Sequence, residues 1–448
     1  MIIKKLYASV LKSPLKFLLI YSVLIRVFFV FTYQSVTIFP DSEDYITLAK
    51  YISNWSLQGY TGERTPGFPT LLALCGNSQK ITVLCQLLFG LANMYFLFQL
   101  SFKQTQRKDI AFWVTFVFGS FINIVFFEFA ILTETLTLSL LLLSFWFISK
   151  YNLLSQKASI KHLGVLSIIY SALYLTRPMF IYIPLGFFLY RLVLLWNIKS
   201  IYKTLIVIMF PALVFYGWNT LNKKNIGLFT SSYYLGFNLA QTATSFFHLA
   251  PDEDYIIRDI FVKHRNAVKE NEPYHVYPMS VWKAHDELLE ETQLTRVELS
   301  QELKRISINL FKKHPDLYVK QVLISWKDFW GSTEAILWNV SKFQNKLVRK
   351  ALIGFWIYFQ KYLLITINIL FLVFGFKKLW SFIKHKHMDF NLFLVAIVLS
   401  GSLTQALVAY GSNSRFCIPF FPLIVYFVIY SIFTSKFIAK LYANSTSS

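Results

Sequence analysis

Apolar residues run through this chain in blocks, with polar residues gathered between the blocks rather than spread through them. A helix needs roughly 20 consecutive apolar residues to cross the hydrocarbon core of a bilayer. The blocks predict about ten spanning helices, at 15–34, 81–101, 110–128, 131–149, 163–176, 179–197, 202–221, 356–376, 389–410 and 417–437. The first block is too long for a removable signal peptide and no small-residue cleavage site follows it. No solenoid-type repeat is visible.

The pattern changes between residues 222 and 355. Acidic and basic residues mix there, and "VWKAHDELLEETQLTRVELSQELKRISINLFKKHPDLYVKQVL" repeats Leu, Ile or Val at three- and four-residue spacing. That spacing predicts amphipathic helices, with a break or restart at Pro315. The expected organisation is an N-terminal transmembrane module, 1–221, containing a first long loop, 35–80; a small, mostly helical segment, 222–355; and C-terminal transmembrane helices, 356–448.

Composition supports this reading. The 448 residues are 55% hydrophobic and only 15% charged, too few charges for a soluble chain of this length. The fold class is therefore an all-α polytopic membrane protein. The net charge of +21 follows from the rule that cytoplasmic loops collect Lys and Arg, so nucleic acid is not an expected partner. Lys4, Lys5, Lys12 and Lys16, loop 102–109, loop 150–162, the turn with Arg191, Lys199 and Lys203, and Lys377, Lys378, Lys384 and Lys386 all fall on one side of a ten-helix chain. That side is the expected cytoplasm, with both termini inside. The loop 35–80, the turn near Glu128 and Glu134, Arg177, the segment 222–355 and the turn 411–416 are then expected outside. Cys75, Cys85 and Cys417 have no metal-site spacing. Their odd number argues against a disulfide framework, with a single Cys75–Cys417 bridge left open.

The candidate chemistry lies on that expected outer face. "PDSEDY" places Asp41, Glu43 and Asp44 at the edge of the first apolar block, where charge is costly and usually functional. A carboxylate there can act as general base on a hydroxyl; Asp at a helix start can also be only a cap. "ERTPGFP" holds Arg64 in a turn stiffened by Pro66 and Pro69, with Gly67 between. Arg suits phosphate or carboxylate, so Arg64 is either a phosphate ligand or an ion-pair partner of Glu63 or of the Asp41 group. "LTETLTLS" places Glu134 as a second acid beside a capping Thr133. Arg177 in "LTRPMF" and Arg415 in "NSRFCIPFFP" complete three arginines on one face, able to hold a phosphate bidentately or else to snorkel to lipid headgroups. Arg26, inside the first block, calls for an intramembrane partner. No P-loop, GxGxxG, HExxH or GxSxG motif occurs.

The stretch "PDSEDYITLAKYISNWSLQGYTGERTPGFPTLLAL" resembles the first outer loop of GT-C type glycosyltransferases, in particular the bacterial protein-mannosyltransferase-like and aminoarabinose-transferase-like group (glycosyltransferase family 39-like). That loop opens on an acid, places a Tyr four positions on, and follows with an Arg-x-Pro-Gly-aromatic-Pro turn; Asp41, Tyr45, Arg64, Pro66, Gly67 and Pro69 match. "ILTETLTLSLLLL", "YLTRPMFIYIPL", "KKHPDLYVKQVLISWKDFW" and "SRFCIPFFPLIVY" are similar to later segments of the group, in order. The chain departs from the Asp-Glu pair of some relatives, having Ser42 after Asp41. The resemblance implies a multi-pass protein of the bacterial inner membrane, with its active site on the outer face. It implies transfer of a sugar from a polyprenyl-phosphate donor to a glycan, lipid or protein acceptor, with inversion, Asp41 as base and the arginines on the departing phosphate. It requires no cofactor, although a divalent metal is compatible with the acids. The alternatives are an O-antigen polymerase or ligase-like enzyme and a transporter or flippase of lipid-linked sugars; the latter class places its charge nearer the midplane.

Overall fold

The computed structural model describes residues 11–332, 343, 345–411 and 413–435. Lys4, Lys5 and the end of the last expected helix lie outside these residues. The chain is an all-α polytopic membrane protein. Its helices are α1 Pro14–Tyr33, α2 Ser42–Ser53, α3 Gly67–Leu74, α4 Gln79–Thr105, α5 Lys108–Gly119, α6 Ile122–Glu128, α7 Glu134–Lys150, α8 Ile160–Thr176, α9 Tyr182–Leu195 and α10 Ile198–Ile226. After α10 come α11 Leu235–Ala243, α12 Tyr255–Asn271, α13 Ser280–Lys283, α14 His285–Thr292, α15 Arg296–Lys313 and α16 Pro315–Phe329. The chain closes with α17 Lys346–Phe355, α18 Lys361–His385, α19 Phe390–Val408 and α20 Phe421–Phe433.

Seven helical runs among the described residues are long and apolar enough to cross a membrane, and the bent pair α5–α6 makes an eighth. The remaining two expected spans are the 17-residue helices α7 and α8, about 26 Å each at 1.5 Å per residue, short of a ~30 Å core. Each of the ten expected blocks thus has its helix, with two differences in shape. The block 110–128 is not straight. It bends by 62° between α5 and α6. A break frees backbone groups that a bilayer cannot satisfy, and Gln360 supplies both partners: its Nε2 donates to the Ser120 carbonyl at 2.5 Å, and its Oε1 accepts from the Ile122 amide at 2.9 Å. The block 356–376 belongs to a 40-residue run, Lys346–His385, which passes through a π-helical turn at Trp356–Gln360.

The spans alternate in direction, so the loops fall into two sets. At the lysine-rich end Arg107 lies over the Phe433 ring, and Tyr190 donates to the Asp389 carbonyl at 2.7 Å. At the other end α1, α6, α8, α10 and α19 finish, and the first loop, Glu134, Arg177 and Arg415 gather. The helices α11–α15 and the start of α16 sit on that end around a core of their own, including Phe237, Phe247, Phe261, Leu299, Leu303 and Ile306, while Phe329 at the end of α16 packs in the core of the bundle. Thr295 and Glu298 form a capping box that starts α15. Gly236 lets α11 touch α15: a Cβ there would fall 1.8 Å from the Ser300 carbonyl oxygen.

Candidate active site

The first loop is set by backbone pairing. The Thr37 amide donates to the Phe129 carbonyl at 2.9 Å, and the Ile131 amide donates back to Thr37 at 3.0 Å. Gln86 Nε2 fixes the same turn through the carbonyls of Glu128 and Ala130. Ser42 locks the register. Its hydroxyl donates to the Ile131 carbonyl at 2.8 Å and accepts from the Phe39 amide at 2.9 Å. The fully buried Ser42 therefore positions its neighbour, Asp41, opposite Glu134.

Asp41 stands at the N-cap position of α2 but makes no side-chain capping bond. Its two oxygens go to two arginines instead. Oδ1 accepts from Arg64 Nη2 at 2.9 Å and Oδ2 from Arg415 Nη2 at 2.8 Å. Arg64 Nε also donates to Asp44 Oδ2 at 3.0 Å. Arg415 Nε donates to Glu134 Oε1, which Arg177 Nη2 meets at 2.6 Å. The six side chains form one alternating row: Asp44, Arg64, Asp41, Arg415, Glu134, Arg177. Three negative and three positive groups balance, which is what a site half-removed from water requires.

The matched residues of the first loop build this row. Tyr45 lies under the Arg64 guanidinium at 4.9 Å and packs edge-on against Phe68. The Tyr60 hydroxyl accepts from the Arg64 amide at 2.6 Å. Pro66 and Pro69 stiffen the turn into α3, and the Pro66 carbonyl accepts from the Thr70 amide at 2.8 Å. Gly67 is required by close approach: a Cβ would lie 2.5 Å from the Thr176 amide nitrogen and 2.6 Å from the Leu175 carbonyl carbon. The Arg64 turn is therefore pressed against the end of α8, next to Arg177.

Two expectations change in detail, and one open pairing is resolved. Glu43 is exposed and stays outside the row, because its place on α2 turns it from the arginines. Thr133 stands at the N-cap position of α7 without capping it; its Oγ1 accepts from Arg177 Nε at 2.7 Å. Arg64 pairs with Asp41 and Asp44 rather than with Glu63. Arg26 finds its partner deeper in the bundle: Nε and Nη2 reach the two oxygens of Glu128 at 2.8 and 2.5 Å. The three cysteines are free; Cys75 lies with its sulfur 3.6 Å from that of Cys85, and does not pair with Cys417.

Tyr234 is the participant that sequence reasoning did not find. It comes from the helical domain, donates to Asp44 Oδ2 at 2.9 Å, and covers Arg64 with its ring at 4.8 Å. The only sequence signal is the aromatic run "SSYYLGF" just after the seventh apolar block. Burial and the Asp44 charge both push the Tyr234 hydroxyl up, so it remains a donor.

Solvent exposure separates the acids. Glu134 is 0% exposed, while 33% of the Asp41 side chain is open. Burial pushes the Asp41 carboxyl up, but the adjoining charges of Arg64 and Arg415 outweigh it and hold the group well below the usual carboxylate range. Asp41 is thus ionised at neutral pH. Arg177 Nη1 and Glu134 Oε2 are buried with no hydrogen-bond partner within the described residues. The carboxylates are spaced by arginines, and among the described residues no group of three or more His, Cys, Asp or Glu converges as a metal site.

No protein-family model and no curated protein matches the chain. Among solved structures it is similar to the archaeal oligosaccharyltransferase AglB from Archaeoglobus fulgidus, in complex with an inhibitory peptide and a dolichol-phosphate. The TM-score is 0.48 and the identity 10%, over 97% of this chain and 52% of that one. The chain spans about half the length of that structure's chain.

Proposed function

We propose that this protein is a GT-C type glycosyltransferase. In this reading it transfers a sugar from a polyprenyl-phosphate donor to an acceptor hydroxyl or amine on the outer face of the membrane. The observation that carries the reading is the alternating row at one end of the bundle, in which the most open acid, Asp41, is held by two separate arginines. A neutral row of guanidinium and carboxylate groups is poised for exchange. The phosphate of the donor competes for Arg64 and Arg415, and bidentate capture by guanidinium is the strong form of that contact. As the arginines turn to the phosphate, Asp41 loses its counter-charges and becomes a better proton acceptor.

The acceptor loses its proton to an Asp41 oxygen while its heteroatom bonds to the anomeric carbon. The bond from that carbon to the phosphate oxygen breaks, and the polyprenyl phosphate leaves with the electron pair. Attack opposite the leaving phosphate inverts the anomeric centre. In this reading Arg177 Nη1, which has no hydrogen bond among the described residues, takes up the charge developing on the phosphate. The acceptor is a glycan, a lipid or a protein side chain.

The test uses the purified chain with polyprenyl-phosphate sugars and measures released polyprenyl phosphate. Release by the wild type and its loss in Asp41→Asn is expected. Donor binding without release from any polyprenyl-phosphate sugar would favour a transporter of the same lipid.

A further inference from the structure

Tyr234 stands at the N-cap position of α11, on the core of the helical domain. Its ring meets the Trp282 ring edge-on at 5.3 Å and the Tyr233 ring at 4.7 Å, and Trp282 in turn stacks on the buried Phe237 at 4.6 Å. Ser300 of α15 ties down the same turn. Its hydroxyl donates to the Tyr233 carbonyl and accepts from the Gly236 amide at 3.2 Å. The helical domain therefore carries the Tyr234 hydroxyl, while Asp44 and Arg64, which Tyr234 touches, belong to the first loop.

Two donors share one oxygen at this contact. Asp44 Oδ2 accepts from Arg64 Nε at 3.0 Å and from the Tyr234 hydroxyl at 2.9 Å. The Asp44 side chain is 24% exposed, so water reaches it only in part. Arg64 has to leave Asp44 in order to turn to a phosphate. A half-closed carboxylate that loses its guanidinium is unfavourable unless another donor stays with it. Tyr234 is that donor. A hydroxyl also binds an unpaired carboxylate more strongly than one already neutralised by an arginine, because hydrogen bonds to net charge are the strong ones. The Tyr234 bond thus gains strength at the moment Arg64 departs.

We propose that Tyr234 is a positioning residue through which the helical domain sets the affinity of the site for the donor phosphate. Its hydroxyl keeps Asp44 satisfied while Arg64 is engaged with the phosphate, and so lowers the cost of releasing Arg64. This role rests on the reading of the arginines as ligands of that phosphate. Tyr234 acts through Asp44 and Arg64 and need not touch the donor itself.

A double-mutant cycle on the purified full chain tests this, with binding of polyprenyl phosphate measured beside binding of the uncharged polyprenol. Tyr234→Phe keeps the ring over Arg64 and the packing on Trp282 and loses only the hydroxyl. A hydrogen bond to a charged group is worth about tenfold or more in an equilibrium. With Asp44 partly open to water, Tyr234→Phe should weaken polyprenyl phosphate by about tenfold, the lower end, and leave polyprenol unchanged. In an Asp44→Asn background the same substitution should weaken it by about threefold or less, because no carboxylate is left to satisfy. Tyr255→Phe, at an exposed tyrosine of the same domain, should bind both lipids as the wild type does. An equal loss in the two backgrounds would show that Tyr234 acts by packing alone and would overturn the proposal. An unchanged affinity in Tyr234→Phe would do the same. In both of those cases the wild type still prefers polyprenyl phosphate to polyprenol. A wild type without that preference would instead remove the arginine reading, and the role of Tyr234 with it.

Discussion

Asp41 and Glu134 share one row of charges but stand differently toward water, and substitution should separate their roles. Glu134 is fully buried, and its Oε1 serves both Arg177, at 2.6 Å, and Arg415. In Glu134→Gln two guanidinium groups are left on a neutral carbonyl oxygen. Removing one partner of a buried ion pair costs about 3–5 kcal/mol. The amide still accepts hydrogen bonds, so a loss of about 3 kcal/mol, the lower end, is expected. Asp41 differs, because each oxygen takes one arginine and a third of the side chain meets solvent. Water covers part of the loss in Asp41→Asn, and about 1 kcal/mol is expected. For transfer the order reverses. Loss of the base should cost about 10²–10⁴-fold, with donor binding retained. Thermal unfolding in detergent reads the first effect; single-turnover transfer beside donor binding reads the second. Near-normal transfer by Asp41→Asn would show that its carboxylate only holds the arginines. Equal thermal shifts in the two variants would refute the argument from burial.

Three further outcomes are expected. Gly67→Ala puts a Cβ against the main chain of residues 175 and 176; it should destabilise by about 1–3 kcal/mol and lower transfer by displacing Arg64, whereas Gly217→Ala, where a Cβ meets nothing within 4 Å, should do neither. The carboxyl of Asp41 is held below its unfolded value, so its contribution to stability is complete above about pH 4 and fades as pH falls through the folded value. The melting difference between wild type and Asp41→Asn should accordingly stay level from pH 5 to 8 and shrink below 4, and a change within pH 5–8 would contradict the assignment. In a cysteine-free background, Trp55→Cys and Lys384→Cys, both at exposed positions, should react with impermeant thiol reagents from opposite sides of the membrane; labelling from the same side would undo the outer placement of the site.

Much of the fold is legible because a bilayer imposes one rule on every span. Blocks of the required length gave helices close to their places, and the cost of charge at a membrane edge pointed to Asp41, Arg64, Glu134, Arg177 and Arg415. What stayed hidden depends on partners far apart in the chain. The break at residues 120–121 is tolerated because of Gln360, some 240 positions on; the Gly119–Ser120 pair in "FVFGSFINIVFF" marks a weak point, but nothing there names its partner. Tyr234 reaches Asp44 across 190 positions. Ser42 looked like a gap in an acidic pair, yet its hydroxyl sets the register. Arg26 was legible as half of a pair, since a guanidinium inside an apolar helix needs a carboxylate, but the choice of Glu128 is geometric.

The seam between the helical domain and the first loop bears on how such a protein can be recombined. Ser232 Oγ donates to the Glu63 carbonyl at 2.5 Å, the Tyr233 amide to the Gly62 carbonyl at 3.1 Å, and Tyr234 to Asp44. One of these bonds joins main chain to main chain and accepts many sequences; the other two need the hydroxyls of Ser232 and Tyr234. A graft that exchanges the helical domain alone would keep the main-chain stitch and forfeit the serine and the tyrosine unless the donor domain supplies its own. The natural unit of exchange is therefore larger than the domain: residues 227–332 travel with residues 44 and 60–64, and a chimera cut along that line inherits an intact row of charges.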